Sequence, residues 1–306
     1  MQRTHRLSTA LLGATAIVAL LSCKKVARQI LEEGSKSEAP GAADKPAAPV
    51  GPVSITWEQP YKLVAQGVKG EATFFVTRDT DKPPLRLQSA FHEFPTGTKV
   101  KIGSEQGVVS QSGFFSTLVD IKPAVVKQSL ADLKGPVDLD LELSIEVPGA
   151  QPITSKLQKQ DVKDGVRFAL LKARDGGVTF ASSGDEAAAK PRGVAVLSGY
   201  SDLEFLGSAQ TLLEVDWVAI AEDQKEPRTT KQCQFKEGPS TLKLFDSSAV
   251  IVERRSGKVV AEQTLKASDE CPMFALVDKT DNSTKNSVAQ KDVVAWARAE
   301  LAKASK

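Results

Sequence analysis

The sequence predicts a mainly β protein with two sandwich-like (Ig-like) β-rich domains and a C-terminal α-helix. Three observations lead to this fold class. Short runs of alternating apolar and polar residues recur after residue 53, and turn signals separate them at close intervals. An apolar stripe at helical spacing occurs near the end of the chain. No repeat with a period of about 20 to 50 residues is present, so a solenoid or propeller is not expected.

The composition is that of a folded globular chain. Of the 306 residues, 41% are hydrophobic, 25% are charged and 6% are aromatic, which excludes disordered, collagen-like and multi-span membrane proteins. The 40 Lys and Arg residues nearly balance the 38 Asp and Glu residues, giving a net charge of +2. We therefore expect no broad basic surface and no nucleic-acid partner.

Changes in composition divide the chain into four segments. We expect a signal peptide in residues 1–22 and a flexible tether rich in Pro and Ala in residues 23–52. We expect the first β-rich domain in residues 53–160 and the second, with the C-terminal helix, in residues 161–306. Because the tether has little to bury, it should be a semi-rigid spacer that reaches up to about 3.1 Å per residue where it is extended.

The N-terminal segment has the features of an export signal. Basic side chains precede an apolar run, Leu11–Leu21, which is shorter than the ~20 residues of a membrane-spanning helix. The tetrad Leu-Leu-Ser-Cys at 20–23 resembles the lipobox of bacterial lipoprotein precursors. This resemblance, which covers residues 1–23 only, implies a diacylglyceryl group on the Cys23 sulfur, cleavage after Ser22 and acylation, as with palmitate, of the new amino terminus. A plain secretory signal that ends in Cys is the alternative.

The expected anchor is lipid rather than charge. Cleavage would remove Arg3 and Arg6 and no acidic residue. The mature chain would then have 38 basic and 38 acidic residues. Each buried CH₂ contributes about 0.8 kcal/mol, and two or three acyl chains anchor a protein stably in the membrane, which is the first expected partner. By the same resemblance, an Asp directly after the lipidated Cys retains enteric lipoproteins at the inner membrane. This position is Lys24 here, so we expect the protein at the outer membrane.

Strand and helix patterns fill the body of the chain. Val137–Val147 alternates strictly between apolar and polar residues, and Leu213–Ala219 repeats the pattern with Trp217 inside. Pro123–Leu133 fits either a short helix or a loop. Two hairpins are predicted around Gly-containing turns, namely Ala249–Glu253 with Lys258–Thr264 and Phe168–Ala173 with Val178–Ala181.

The end of the chain predicts a helix. Ser287 and Gln290 have the spacing of a capping box. The apolar stripe that follows consists of Val293, Ala297 and Leu301.

Two cysteines remain in the C-terminal half, Cys233 and Cys271. Export would place them in an oxidising compartment, where a single disulfide is the simplest expectation. Two free thiols are the alternative.

Catalytic motifs are scarce. His92 would be the only histidine after signal cleavage, and neither a nucleophile motif nor the second His of a zinc site accompanies it. The SxxK match at Ser240–Lys243 lies in a strand-like run, and Asp79–Asp81 is typical of a turn. Four acids along one strand are candidates for glycoside hydrolysis or Ca²⁺ binding, but a solvated face is the simpler interpretation. These are Asp138, Asp140, Glu142 and Glu146. We predict no catalytic residue, no metal site and no cofactor.

Two groups of residues are candidates for surface contacts. Phe114 and Phe115 would place adjacent rings on opposite faces of an extended strand, so that one of them is either exposed or lies between the two domains. Arg254, Arg255 and Lys258 cluster at the tip of an expected hairpin, where they would be able to touch an anionic polymer.

These features predict a lipid-anchored cell-envelope lipoprotein that acts as a non-enzymatic binding or scaffold module for an envelope protein or polysaccharide. Two alternatives stay open: a carboxylate-dependent enzyme acting on cell-wall or extracellular glycans, and a structural lipoprotein without a specific ligand. A cleft with two acids of shifted pKa would favour the enzyme. A shallow surface with an uncovered apolar or edge-strand patch would favour the binding module.

Overall fold

A computed structural model of the chain describes residues 51–77, 85–181, 185–186, 188–199, 202–235, 238–272, 277–278 and 280–306. The expected signal peptide, Cys23, the tether up to residue 50 and the Asp79–Asp81 turn lie outside these residues. The described residues are mostly β, with several sheets and a C-terminal helix, so the predicted fold class is confirmed.

The N-terminal half forms antiparallel sheets from short strands. These are β1 (Ser54–Gln59), β2 (Lys62–Gln66), β3 (Glu71–Val76), β4 (Arg86–His92), β5 (Lys99–Ile102), β6 (Glu105–Val108), β7 (Phe114–Asp120), β8 (Pro136–Val137), β9 (Glu142–Glu146), β10 (Ile153–Lys156) and β11 (Gln160–Asp161). Sheet 1 has the strand order β1-β2-β3-β4-β7 and sheet 2 the order β10-β9-β5-β6, while β8 and β11 form a two-stranded ribbon.

The C-terminal half forms two mixed sheets. Its strands are β12 (Gly193–Ser198), β13 (Asp202–Gly207), β14 (Trp217–Asp223), β15 (Thr229–Phe235), β16 (Gly238–Phe245), β17 (Ser247–Glu253), β18 (Val259–Leu265) and β19 (Ser283–Ser287). Sheet 3 has the order β13-β12-β14-β17-β18 and sheet 4 the order β15-β16-β19. The β12–β14 and β16–β19 pairs are parallel, and the predicted hairpin at 249–264 is confirmed as β17 and β18.

Sheet 3 is covered on both faces, which explains why every residue of β12 is buried. Val194 and Val196 belong to one hydrophobic cluster with the predicted stripe of the last helix, in which Val293, Ala297 and Leu301 are buried. The alternate residues of β12 belong to the larger cluster. This pattern is typical of a strand in the middle of a layered structure, where both sets of side chains meet apolar neighbours.

Three α-helices occur in the described residues: α1 (Lys122–Val125), α2 (Lys163–Leu171) and α3 (Gln290–Ala304). The segment expected as a short helix or a loop contains both, because α1 ends at Val125 and a 3₁₀ turn follows at Asp132–Lys134. The predicted capping box is wrong. Ala289 is the N-cap of α3, and the Ser287 hydroxyl instead donates to Asp223 at 2.7 Å.

The larger hydrophobic cluster joins both halves of the chain. It includes Phe74 and Phe91 of sheet 1, Ile145 of sheet 2, Val166 of α2 and Val218 of sheet 3. Described strands up to residue 161 nevertheless share no sheet with those from residue 193 onward. The domain boundary near residue 160 stays a prediction.

The disulfide between Cys233 and Cys271 is confirmed. Its Cα atoms are 5.8 Å apart, and Cys233 of β15 packs in a small cluster with Leu242, Leu244 and Ala267. The bridge therefore joins sheet 4 to the segment that follows β18. Because this third cluster is small, the covalent link supplies stability that apolar burial alone would not.

The predicted hairpin at Phe168–Ala181 is wrong, because these residues begin inside α2 and continue into a 3₁₀ turn, Lys172–Asp175. Val166, Ala169, Leu170 and Ala173 are fully buried, and their spacing is that of a helix. Gly176 and Gly177 end the helical segment with positive φ angles of 142° and 87°. The glycines signal a helix end here, rather than a hairpin turn.

The predicted strand Val137–Val147 is interrupted. Asp140 has a φ of 51°, and its amide N–H donates to the Asp138 carboxylate at 2.9 Å, which makes a local turn between β8 and β9. The strand expected from Leu213 begins only at Trp217, because a 3₁₀ turn occupies Leu212–Glu214. Trp217 is buried, as expected.

Candidate binding face

The alternating strands of sheet 1 bury one face and leave the other open. The open side chains of β2, β3, β4 and β7 form what we call the outer face. They are Lys62, Val64, Glu71, Thr73, Phe75, Arg86, Gln88, Ala90, His92, Phe114, Ser116, Leu118 and Asp120. None of these residues is buried, whereas their neighbours along each strand supply the core.

An exposed aromatic pair lies at one end of the outer face. The rings of Tyr61 and Phe75 stack with their centroids 5.7 Å apart and their planes inclined by 29°. Tyr61 is 43% exposed and Phe75 is 53% exposed. Phe74 points the opposite way and is fully buried against Phe91. The pair therefore leaves aromatic surface open to solvent beside the turn between β1 and β2.

A second ring pair lies on β4 and β7. His92 and Phe114 are paired across the strands, with ring centroids 5.1 Å apart, and Phe114 is 43% exposed. Phe115 instead faces the core, where its ring lies 6.0 Å from Phe91. The expectation that Phe114 and Phe115 point to opposite faces is confirmed.

Small side chains lie between the two ring pairs. Thr73, Ala90 and Ser116 are aligned across β3, β4 and β7. The rows on either side carry Phe75 and Phe114. A row of small residues between rows with rings makes a shallow trough, and two of its three members contribute hydroxyl groups.

Charges on the outer face occur in opposite pairs. Lys62 Nζ lies 3.0 Å from Glu71 and 3.5 Å from Glu58, and these carboxylates raise the pKa of Lys62, chiefly through the hydrogen bond to Glu71. Arg86 lies 3.8 Å from Asp120. Such exposed pairs contribute little to stability, but they cancel charge at the edges of the face.

The predicted basic surface cluster is corrected by the structure. Arg254 has no exposed surface. Its guanidinium donates to the Asp185 carboxylate and the Val215 carbonyl, and it lies 4.9 Å from the Phe180 ring centroid. Lys258 remains exposed at the hairpin. Arg254 is drawn inward because a buried carboxylate is available to pair with it.

Arg255 extends the same ion-pair network. Its side chain is 11% exposed and donates to Asp185 at 2.9 Å and to Asp216 at 2.7 Å. Arg192 also binds Asp216, with Nη2 3.1 Å from Oδ1. Arg255 is thus a bridge between two buried carboxylates, and little of it is left to contact a polymer.

The two carboxylates of this network have lowered pKa values. Burial alone raises the pKa of Asp185, but the hydrogen bond from Arg254 and the Phe180 N–H outweigh it. Burial likewise raises the pKa of Asp216, and hydrogen bonds from Arg192 and Arg255 overcome that effect. Both groups are therefore held ionised, which suits a structural role rather than a general acid.

Three of the four acids on β9 and its preceding turn are paired with lysines. Asp138 lies 2.9 Å from Lys156 and Asp140 lies 3.6 Å from it, while Glu146 lies 3.0 Å from Lys99. The hydrogen bonds from the Asp140 N–H and from Lys156 lower the pKa of Asp138. The adjoining cavity of about 450 Å³ is shallow, with Thr154 and Ser155 in its lining.

The other candidates for chemistry are dispersed. The His92 ring lies beside the Phe114 ring, inclined to it by 50°. Ser240 is buried and its hydroxyl donates to the Asn282 carbonyl at 2.8 Å, whereas Lys243 pairs with Asp281 at 2.5 Å. Within the described ranges, no group of three or more His, Cys, Asp and Glu side chains is placed to hold a metal ion.

Comparison with protein-family models, curated proteins and solved structures found no match to this chain. Among the helices of the described residues, none has the length and apolar character needed to cross a membrane.

Tyr61 and Phe75 were not among the residues singled out from the sequence, although a signal exists. Phe74-Phe75 is a doublet like Phe114-Phe115, and each doublet lies in a strand. Strand alternation must send one ring of each doublet to the core and the other to the surface. The partnership of Tyr61 with Phe75 depends on the turn between β1 and β2, which the sequence pattern does not specify.

Proposed function

We propose that this protein is a lipid-anchored binding module of the bacterial cell envelope. Acyl chains on Cys23 hold it in the membrane, and the outer face of sheet 1 contacts its partner, an envelope protein or polysaccharide. The observation that carries this proposal is the exposure of Tyr61, Phe75 and Phe114 on one open sheet face. Several aromatic side chains exposed on the same face are more typical of a recognition surface than apolar residues exposed singly.

The described carboxyl groups with shifted pKa values are held by hydrogen bonds and ion pairs. Each described carboxyl group with a shifted pKa has a lowered pKa, including Asp185, Asp216 and Asp223. A glycan hydrolase would need a carboxylic acid with a raised pKa to protonate its leaving group. A carboxylate-dependent enzyme and a structural lipoprotein without a ligand are the two rivals.

The tether suits this role. Extended at about 3.1 Å per residue, residues 23–52 would hold the body tens of ångströms from the bilayer. The lack of Asp at position 24 favours the outer membrane. A module on such a tether would be able to reach a partner that does not touch the membrane itself.

The test is site-specific crosslinking in cells. A photo-reactive amino acid replaces Ser116, which is exposed on the edge strand β7 in the row between the two ring pairs. The matched control carries it at Gln263, which is exposed on β18 of sheet 3. We expect a discrete crosslinked product from position 116 and not from position 263. Equal products at both positions, or none beyond bulk lipid, would overturn the proposal.

A further inference from the structure

We propose that the outer face of sheet 1 binds an uncharged polysaccharide whose chain runs diagonally from Phe75 to Phe114. This inference rests on the proposed function, because it names the ligand class for the same face. Four properties carry it: the separation of the rings, the trough between them, the cancelled charge and the size of the face.

The separation of the rings suits a chain molecule. Phe75 lies on β3 and Phe114 on β7, with β4 between them, and both side chains are on the outer face. The residue of β7 in the same row as Phe75 is Leu118, which is four residues along the strand from Phe114. With about 3.3 Å per residue and about 4.8 Å between strands, the two positions lie about 16 Å apart. One small ligand cannot cover both rings, but a linear polymer of several units can.

The chemistry of the face suits sugar rings. Pyranose rings present C–H groups on their flat sides, and these pack on aromatic rings, whereas their hydroxyls point sideways. The stacked pair of Tyr61 and Phe75 offers such a platform. The trough formed by Thr73, Ala90 and Ser116 leaves room for the chain, and its hydroxyls are suitable partners for sugar hydroxyls.

The charge of the face favours a neutral ligand. Lys62 is paired with Glu71 and Glu58, and Arg86 is paired with Asp120, so three carboxylates surround the two cations and the face has no unpaired positive charge at these positions. An anionic polymer would have to break these pairs to find a cation. An uncharged chain would leave all of them in place.

The size of the face disfavours a protein partner. From the row of Arg86 to the row of Phe114, and across its four strands, the outer face covers about 290 Å² by strand geometry. A stable protein–protein complex buries about 800 Å² on each partner, with an apolar centre. The central row of the outer face consists instead of small side chains, two of which carry hydroxyl groups.

The experiment measures the binding of hexasaccharides to the full mature protein in detergent. The uncharged probes are hexaoses of glucose, xylose, mannose and N-acetylglucosamine, and the charged probe is hexagalacturonate. We expect at least one uncharged probe to bind with an affinity that does not change between low and high salt, because no ion pair forms. We expect Phe75→Ala and Phe114→Ala each to weaken it by roughly threefold to tenfold. The control, Val108→Ala, changes an equally exposed apolar side chain on sheet 2 and should bind as the parent does.

Three outcomes would overturn the inference: no binding of any uncharged probe, unchanged affinity in both Phe variants, or preferential binding of hexagalacturonate that weakens with salt. Failure here is distinguishable from failure of the proposed function. If position 116 captures a protein in cells while the sugars do not bind, the binding module stands and the polysaccharide does not.

Discussion

Arg254 and Asp185 form an ion pair in which the Arg254 side chain has no exposed surface and the Asp185 side chain is only 2% exposed. The pair joins the hairpin of β17 and β18 to a segment that follows Phe180. Further bonds from Arg255 tie it to Asp216 at the start of β14. It is the most deeply buried of the ion pairs between described residues.

Removal of Asp185 should destabilise the fold strongly. Asp185→Ala leaves the Arg254 charge buried without its carboxylate partner, which costs about 3 to 5 kcal/mol of unfolding free energy. Urea denaturation would measure the loss. Glu146→Ala is the matched control, because it breaks an exposed pair with Lys99 and should have little effect. Equal effects of the two substitutions would contradict the structural role of the buried pair.

Stability should fall at acid pH. The pKa values of Asp185 and Asp216 are lower in the folded state than the ordinary value of about 3.9 in unfolded chains. Their contribution to the unfolding free energy is therefore present above about pH 4 and is lost as the pH falls through the folded-state values. Urea midpoints across this range would show the decline. Asp216→Asn should have a shallower decline than the parent, and identical slopes would refute the linkage to this group.

The disulfide should stabilise the second half of the chain. The bridge closes a loop with a sequence separation of 38 residues, for which the chain-entropy estimate is about 4 kcal/mol. The double variant Cys233→Ala and Cys271→Ala should lose stability of this order in urea titrations. A thiol reductant should destabilise the parent but leave the double variant unchanged. A reductant effect in the double variant would indicate a different cause.

The anchor prediction depends on Cys23, which lies outside the described residues. Cys23→Ala should move the protein from the membrane fraction to the soluble fraction or the medium, because no acyl chain can be attached to the alanine side chain. Ser22→Ala is the control, since a small residue before Cys preserves the lipobox. Mass spectrometry of the parent should find a lipidated N-terminal peptide that begins at residue 23. Retention of Cys23→Ala in the membrane would refute the anchor.

Local patterns predicted much of the architecture. The runs Ala249–Glu253 and Lys258–Thr264 on either side of a Gly-containing turn predicted a hairpin, and the antiparallel pair of β17 and β18 confirms it. The stripe of Val293, Ala297 and Leu301 predicted the C-terminal helix because residues four apart lie on the same side of a helix. All three are buried in the structure. The error at Phe168–Ala173 arose because paired glycines end helices as well as form hairpin turns. Only the burial of Val166, Ala169 and Ala173 at helical spacing distinguishes a helix end from a hairpin turn here.

The sequence by itself determined the mainly β class, the C-terminal helix, the pairing of Cys233 with Cys271 and the opposed rings of Phe114 and Phe115. These features depend on spacing within one segment or on the scarcity of a residue type. Tertiary structure alone decided that Arg254 is buried rather than exposed, because its partner Asp185 lies 69 residues away along the chain. It likewise brought Tyr61 to Phe75 and set both on one face with Phe114, since the order and register of strands in a sheet arise from contacts between distant segments.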